Sequence, residues 1–226
     1  MVQDRLKAQF QLYLITDRRL AALRGGLIET VQAALAGGAE LGPGRIAVQL
    51  REKDLEAGEL YKLALALKQV CSRFAAPLIV NDRIDVAMAA NADGVHLATT
   101  SFSVADARAL LGSSRFIGVS THDAHEVGAA AEAGADFAVF GPIYDPLSKG
   151  AYGPAKGLNP LMESVKVAGD MPVYALGGIT VSRAAEIAAL APSSRPFGIA
   201  AIGAVLGSAT PGSASRELLQ AFRPPR

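Results

Sequence analysis

The sequence predicts a single (β/α)8 barrel, a TIM barrel, spanning residues 1–226 as one domain. Three observations support this prediction. The length of 226 residues is close to that of one barrel of eight βα units. Half of the residues are hydrophobic, as expected for parallel strands that helices cover on the outside. Eight short apolar runs alternate with segments of helical spacing, and no composition shift or long linker divides the chain.

The strands are predicted from apolar runs that Gly, Pro, Asn or Asp residues bound, which is typical of buried parallel strands. In chain order the runs are 11–16, 46–50, 77–81, 94–97, 116–120, 137–141, 173–178 and 197–203. Alanine- and leucine-rich helices are predicted between them, for example over 58–74, 103–111, 124–133 and 182–190. Ser103 and Ser182 are the expected N-caps of two of these helices.

A doubly wound open sheet is the alternative fold for eight alternating strands and helices. Such a sheet often has a G-x-G-x-x-G turn after its first strand. The first strand here ends in TDRRL instead, and the even spacing of the units favours the barrel.

Composition and charge narrow the class of protein. With 22 Lys and Arg against 21 Asp and Glu, the net charge of +1 gives no support for binding to nucleic acid or to a membrane surface. No apolar stretch approaches the roughly 20 residues of a membrane span, and MVQDRLKAQF lacks the apolar core of a signal peptide. Cys71 is expected to be a small buried hydrophobe and not a catalytic thiol. A soluble protein of the reducing cytoplasm is therefore expected, and homo-oligomerisation is left open.

Residues that can bind anions or transfer protons follow the predicted strands. In a parallel barrel the active site lies where the carboxyl ends of the strands meet the loops that follow them. The residues at these positions are Thr16, Asp17, Arg18, Gln49, Arg51, Lys53, Asn81, Asp82, His96, Ser120, His122, Lys149, Gly177, Gly178 and Gly203.

Two pairs at the ends of the second and third strands suit a diphosphate. Arg51 and Lys53 are alternate residues, so both cations can face the same phosphate oxygens. A solvated surface pair is the alternative for them. Asp82, after Asn81, is a candidate Mg²⁺ ligand beside diphosphate oxygens. The alternative for Asp82 is to be the N-cap of a helix that begins at Ile84.

The glycines Gly177 and Gly178, together with the glycine-rich end AAIGAVLG of the eighth strand, predict a phosphate cup of backbone N–H groups. A plain tight turn is the alternative. His122 is a candidate general acid or base. His96 is either part of the site or a core histidine that is hydrogen-bonded within the barrel mouth, and His125 is expected on the surface. There is no sequence cluster of His, Cys and carboxylate residues at metal-ligand spacing.

Several stretches in order resemble the family of thiamine phosphate synthase and its relative, the thiazole tautomerase. They are LYLITDR, VQLREKDL, VNDRIDVAMAANADGVHL, GVSTHDAHEVGAAAEAGADFAVFGPIYD, KGL, PVYALGGIT and GIAAIGAVL, and they run from the first strand to the eighth. The synthase couples hydroxymethylpyrimidine diphosphate to a thiazole phosphate, with Mg²⁺, and releases diphosphate.

The resemblance implies a role for each matched position. A diphosphate would be held by Gln49, Arg51, Lys53, Asn81 and Lys149, with Asp82 on Mg²⁺. Ser120 would contact the pyrimidine or the departing diphosphate. The thiazole phosphate would lie in a cup formed by Gly177, Gly178, Ile202 and Gly203.

Two departures from the synthase pattern fall on the side of the diphosphate and the metal. After the fourth strand the synthase has H-x-G-Q-x-D, whereas this chain has HLATTS, so that Ser101 stands at the second Mg²⁺ carboxylate. After the sixth strand T-x-T-K is replaced by PLSK, with Pro146 and Ser148 at the threonines. The alternatives are therefore a thiazole phosphate tautomerase, which would use His122 for proton transfer, and a non-catalytic phosphate-binding barrel. The motifs QLREK and Asn81–Asp82 favour the synthase.

Overall fold

Eight parallel strands close into a barrel in the computed structural model, which describes residues 8–145 and 154–223. The strands are β1 (Leu12–Ile15), β2 (Ile46–Leu50), β3 (Leu78–Asn81), β4 (Gly94–Leu97), β5 (Phe116–Thr121), β6 (Phe137–Phe140), β7 (Val173–Leu176) and β8 (Gly198–Ala201). Each pairs with its neighbours in sequence, and β1 also pairs with β8, which completes the circle. The predicted barrel is confirmed, and the open sheet is wrong.

Helices surround the barrel between the strands. They are α1 (Arg18–Ala22), α2 (Leu27–Ala39), α3 (Ala57–Arg73), α4 (Ile84–Ala89), α5 (Val104–Leu111), α6 (Ala124–Ala133), α7 (Leu158–Val167), α8 (Val181–Ala188), α9 (Gly203–Leu206) and α10 (Pro211–Ala221). None of the helices in the described parts of the chain has the length and apolar character that crossing a bilayer requires.

One of the two predicted N-caps is confirmed and the other is wrong. The side chain of Ser103 accepts the backbone N–H of Asp106 at the start of α5. At the start of α8 the cap is Thr180 and not Ser182, because Thr180 has the extended backbone that a cap needs and its side chain accepts the N–H of Arg183. Ser182 already lies inside the helix.

Alternate residues of each strand face the barrel interior, as the period of two in a strand requires. A floor of aromatic rings fills the interior: Phe10 stacks on Tyr174 at 4.8 Å between ring centroids, and Phe137 lies 5.3 Å from Tyr13. Gly118 leaves space for this floor, since a Cβ there would lie 2.2 Å from the ring of Phe137. The outward-facing residues form a second, larger core beneath the helices.

Two aspartates tie neighbouring strands together at their amino ends. Asp136, just before β6, accepts the backbone N–H of Ile117 in β5 and pairs with Arg108 of α5. Asp93, just before β4, similarly accepts the N–H of Leu78 in β3 and pairs with Lys68. These bonds lie at the end of the barrel opposite the carboxyl-end loops, where polar residues stabilise the fold.

Cys71 is fully buried on α3, and burial raises the pKa of its thiol to about 12. The thiol is therefore protonated at neutral pH, and its prediction as a buried hydrophobe is confirmed.

Candidate active site at the carboxyl ends of the strands

Four of the predicted site residues form one row of inward-facing side chains above the aromatic floor. Gln49 on β2 donates through Nε2 to Oδ1 of Asn81 on β3, at 2.9 Å. Asn81 is in register with His96 on β4, and Nε2 of His96 lies 3.0 Å from Oγ of Ser120 on β5. All four side chains lie on the inner face of the strands, as the aromatic floor does, so the folded barrel brings them together into one polar surface.

His96 lies at the bottom of this row and is only 3% exposed. Its Nδ1 faces the hydroxyl of Tyr13 at 3.4 Å. Burial, and to a smaller extent the charge of Arg51, lowers the pKa of His96 to about 3. The imidazole is therefore neutral at physiological pH, and its geometry agrees with a histidine that is hydrogen-bonded within the barrel mouth and holds Ser120 from below.

Arg51 and Lys53 line a cavity of about 310 Å³ that also includes Thr16 of the first loop and Ile202 of the last. The Oγ1 of Thr16 accepts the backbone N–H of Arg51 at 2.9 Å. Both cations lie beside the end of β8 as well as at the end of β2. Arg51 and Lys53 therefore share one cavity with a residue of the predicted phosphate cup, and their role as diphosphate ligands stays a prediction.

Between these two cations, Glu52 points away from solvent and fastens the loop after β2 to the loop after β1. Its carboxylate accepts the backbone N–H of Arg18 at 3.1 Å, and its side chain is only 4% exposed. Arg18 also donates both terminal nitrogens to Asp54, and this bond lowers the pKa of the Asp54 carboxyl well below its usual range. The sequence did not reveal these contacts, because nothing in the run REKD shows which charges turn inward.

The carboxylate of Asp82 accepts a hydrogen bond from the hydroxyl of Ser101, which also accepts the backbone N–H of Ala98. Asp82 is not the N-cap of α4, since Arg83 occupies that position, and that alternative is wrong. The backbone of Asp82 has a left-handed φ of 66°, which aspartate tolerates better than most residues.

The donor set around Asp82 suits a Mg²⁺ ion that is bound through one carboxylate. Mg²⁺ takes one or two carboxylates together with phosphate oxygens and water. Among the residues that the structure describes, no group of three His, Cys, Asp or Glu side chains could enclose a metal ion. The remaining ligands would have to come from a diphosphate and from water.

After β7 the turn at Gly177 and Gly178 is covered by the loop after β6. The carbonyl of Leu176 accepts the N–H of Ile143 at 2.8 Å, and that of Gly177 accepts the N–H of Tyr144 at 3.3 Å. Both glycines have positive φ, and a Cβ on Gly177 would lie 2.7 Å from Pro142. Only glycine fits this close approach.

The backbone N–H groups of Gly177 and Gly178 donate to no protein group among residues 8–145 and 154–223. The same is true of Ile202 and Gly203, whose carbonyls accept the N–H groups of α9 and of its C-cap Gly207. Because β7 and β8 are neighbours, these four donors lie at adjacent strand ends. Unused donors of this kind are what an anion-binding cup requires.

His122 follows β5 and is half exposed, and its Nδ1 lies 3.2 Å from the carboxylate of Glu126 on α6. His125 is exposed on the same helix, as expected. Lys149, with Pro146 and Ser148, lies outside the described residues.

Another cluster that the sequence did not reveal lies beside the glycine turn. Arg183 on α8 donates through Nη1 to the carbonyl of Gly178 at 2.6 Å and stacks over the ring of Tyr144, 4.5 Å from its centroid. The hydroxyl of Tyr144 donates to Glu186 at 2.8 Å. Burial, followed by the bond to Glu186, raises the pKa of Tyr144, so this hydroxyl stays protonated.

Comparisons with known proteins agree with this geometry. The family model described as thiamine monophosphate synthase matches residues 12–205. A putative thiamine-phosphate synthase of Geobacter sulfurreducens is 46% identical over 220 residues, which cover 97% of both chains. The thiamine-phosphate synthase of Roseiflexus castenholzii is 41% identical over 207 residues, covering 92% of this chain and 86% of that protein. A solved structure, thiamine phosphate pyrophosphorylase from Pyrococcus furiosus, superposes with a TM-score of 0.80 at 32% identity and covers 95% of this chain and 96% of that one.

Proposed function

Since this chain belongs to the thiamine monophosphate synthase family, it is a transferase of thiamine biosynthesis, and we propose that it couples hydroxymethylpyrimidine diphosphate to a thiazole phosphate. The observation that carries the proposal is the cavity of about 310 Å³, which Arg51 and Lys53 line together with Ile202. Its lining also includes Asp17, and Arg18 and Arg19, whose charges pair with Glu52 and Asp54. One mouth therefore holds cations for a leaving diphosphate next to unused amides for a second phosphate.

The residues of the mouth divide the work between the two substrates. Arg51 and Lys53 would stabilise the negative charge that develops on the diphosphate as its bond to the pyrimidine methylene breaks. The amides of Gln49 and Asn81 hold each other in place beside them. Neutral His96 would fix the hydroxyl of Ser120 toward the pyrimidine side, and the aromatic floor closes the mouth from below.

On the other side, the amides of Gly177, Gly178, Ile202 and Gly203 would bind the thiazole phosphate and so direct the thiazole nitrogen toward the pyrimidine methylene. A bound Mg²⁺ would supply further positive charge to the diphosphate oxygens. Asp82 is the carboxylate that would hold it, and Lys149 is a further proposed diphosphate contact.

One observation favours a second function, a thiazole phosphate tautomerase. The carboxylate of Glu126 lies 3.2 Å from Nδ1 of His122, and a contact of this kind orients an imidazole for proton transfer. Ser101 stands in the position of a second metal carboxylate. Its lack of a charge would not affect a tautomerase that needs the phosphate cup and no metal.

The test is to assay both reactions with wild type, Arg51→Ala and His122→Ala. A synthase should lose coupling in Arg51→Ala by the equivalent of about 2–4 kcal/mol in the transition state, as when an oxyanion donor is removed. His122→Ala should retain most of the coupling activity, because bond breaking there needs no proton from this side chain.

The opposite pattern would overturn the proposal. A wild type that shows no coupling at any Mg²⁺ concentration, but a tautomerase activity that His122→Ala reduces about a hundredfold or more, would establish the second function. Near-full coupling in Arg51→Ala would show that Arg51 is a solvated strand end.

A further inference from the structure

The glycine turn after β7 is held by three donors that take its carbonyl groups in succession. Two of them are backbone amides of the loop after β6, from Ile143 and Tyr144. The third is the side chain of Arg183, which takes the carbonyl of Gly178 at 2.6 Å. This last carbonyl is the only one of the three whose donor is a side chain.

The carbonyl bonds decide where the amide groups point. In a trans peptide the C=O of one residue and the N–H of the next face opposite directions. A bond that draws the carbonyl of Gly178 toward α8 therefore turns the N–H of Ile179 the other way. A flip of this peptide would rotate ψ of Gly178, whose φ is 61°, together with φ of Ile179. Glycine tolerates that rotation, the β-branched Ile179 opposes it, and the bond from Arg183 holds the carbonyl in its present direction.

Arg183 is itself fixed in place. Its guanidinium lies over the ring of Tyr144, a cation–π contact of 4.5 Å to the centroid. Tyr144 is anchored in turn through its hydroxyl to Glu186, one turn along α8 from Arg183. The cluster thus joins α8, the loop after β6 and the glycine turn.

We propose that Arg183 is a positioning residue for the phosphate cup. By holding the Gly178 carbonyl toward α8, it keeps the N–H of Ile179, which donates to no group among the described residues, directed toward the bound phosphate beside the N–H groups of Gly177 and Gly178. The inference rests on the proposed function only for the identity of the ligand. A flipped carbonyl would replace an N–H donor with a negative dipole at the anion, which weakens binding.

The experiment measures the affinity for inorganic phosphate by calorimetry, and the KM of each substrate in the coupling assay, for wild type and five variants. Arg183→Ala should weaken phosphate binding and raise the KM for thiazole phosphate about tenfold, the effect of losing one charge-assisted hydrogen bond. The KM for the pyrimidine diphosphate should stay within about twofold. Arg183→Lys should restore part of the affinity, since an ammonium can still donate to the Gly178 carbonyl.

Three further variants separate positioning from other roles. Tyr144→Ala removes the ring under the guanidinium and should weaken phosphate binding in the same direction as Arg183→Ala. Tyr144→Phe keeps the ring but loses the bond to Glu186, so its effect should be smaller than that of Tyr144→Ala. Arg195→Ala is the matched control, because Arg195 donates to the carbonyl of Ala188 near the other end of α8. It should leave both KM values unchanged.

Several results would overturn the inference. An equal rise of both KM values in Arg183→Ala would indicate general loosening of the fold. A loss of phosphate affinity in Arg183→Ala without any effect of Tyr144→Ala would mean that Arg183 contacts the phosphate directly. Absence of phosphate binding in wild type would show that these amides do not form a phosphate site. A wild type that binds phosphate but does not couple would refute the proposed function and leave the test of Arg183 intact.

Discussion

Ser101 gives its hydroxyl to Asp82, where a second carboxylate would strengthen a metal site. We expect Ser101→Asp to lower the Mg²⁺ concentration for half-maximal coupling several-fold, because a second anionic oxygen binds a hard cation more tightly. The measurement is a Mg²⁺ titration of the coupling rate. Ser101→Ala is the control, since it removes the hydrogen bond to Asp82 without adding charge. An unchanged titration midpoint in Ser101→Asp would contradict the expectation that a carboxylate at position 101 binds the metal.

His96 gives a prediction about pH. Its pKa is about 3 in the fold and near 6.5 in an unfolded chain, so the unfolded state binds the extra proton between these values. The free energy of unfolding must therefore fall as the pH is lowered from about 6.5 toward 3. In His96→Gln, which cannot titrate, urea unfolding at pH 7, 6, 5 and 4 should show a flatter dependence on pH, although the variant is less stable at pH 7. An exposed-site control, His125→Gln, should keep the wild-type slope, and an equal slope in both variants would contradict the assignment.

The site residues that could be predicted from the sequence are those on strands, where the period of two fixes the direction of each side chain. Gln49, Asn81, His96 and Ser120 were predicted from their places at strand ends, and the alternation of a β-strand puts all four on the inner face. Glu52 and Arg183 were not predicted, because they lie on loops and helices where the direction of a charged side chain depends on partners distant in sequence. The N–H groups of Gly177, Gly178, Ile202 and Gly203 donate to no described protein group, and their binding of an anion stays a prediction.

Among whole elements, the side chain of Asp93 joins β3 to β4 at their amino ends, and that of Asp136 joins β5 to β6. The side chain of Asp136 is 3% exposed, whereas that of Asp93 is 35% exposed. Removing one partner of a buried pair leaves an uncompensated charge, so we expect Asp136→Ala to cost about 3 kcal/mol of stability. Asp93→Ala should cost roughly 1 kcal/mol, since solvent screens its pair with Lys68. Urea unfolding of both variants measures the difference, and equal losses would show that burial does not set the strength of these pairs.

The boundaries of the elements show the same limit of sequence patterns. The strands were predicted to within a few residues, because bounding glycines and prolines end each apolar run. The predictions ran too long after β7 and β8, where the residues from 177 to 178 and from 202 to 203 leave the sheet to form turns and the start of α9. Apolar residues and glycines continue there without a break, so hydrophobicity alone could not separate strand from turn.

At the scale of the whole barrel, the proposed phosphate cup lies at the ends of β7 and β8, and β8 closes the circle by pairing with β1. A ligand that binds only the folded barrel stabilises it by mass action, by about 2.7 kcal/mol at a hundred times its Kd. For a chain of this size that corresponds to a rise in Tm of roughly 5–10 °C.

Because the sequence predicts one domain, thiazole phosphate should shift a single unfolding transition as a whole in differential scanning calorimetry. Arg51→Ala should show the same shift, since Arg51 is assigned to the other substrate, while sodium chloride at equal ionic strength controls for salt. Two transitions of which only one moves would refute the single domain, and a shift lost in Arg51→Ala would refute the division of the mouth between two phosphate groups.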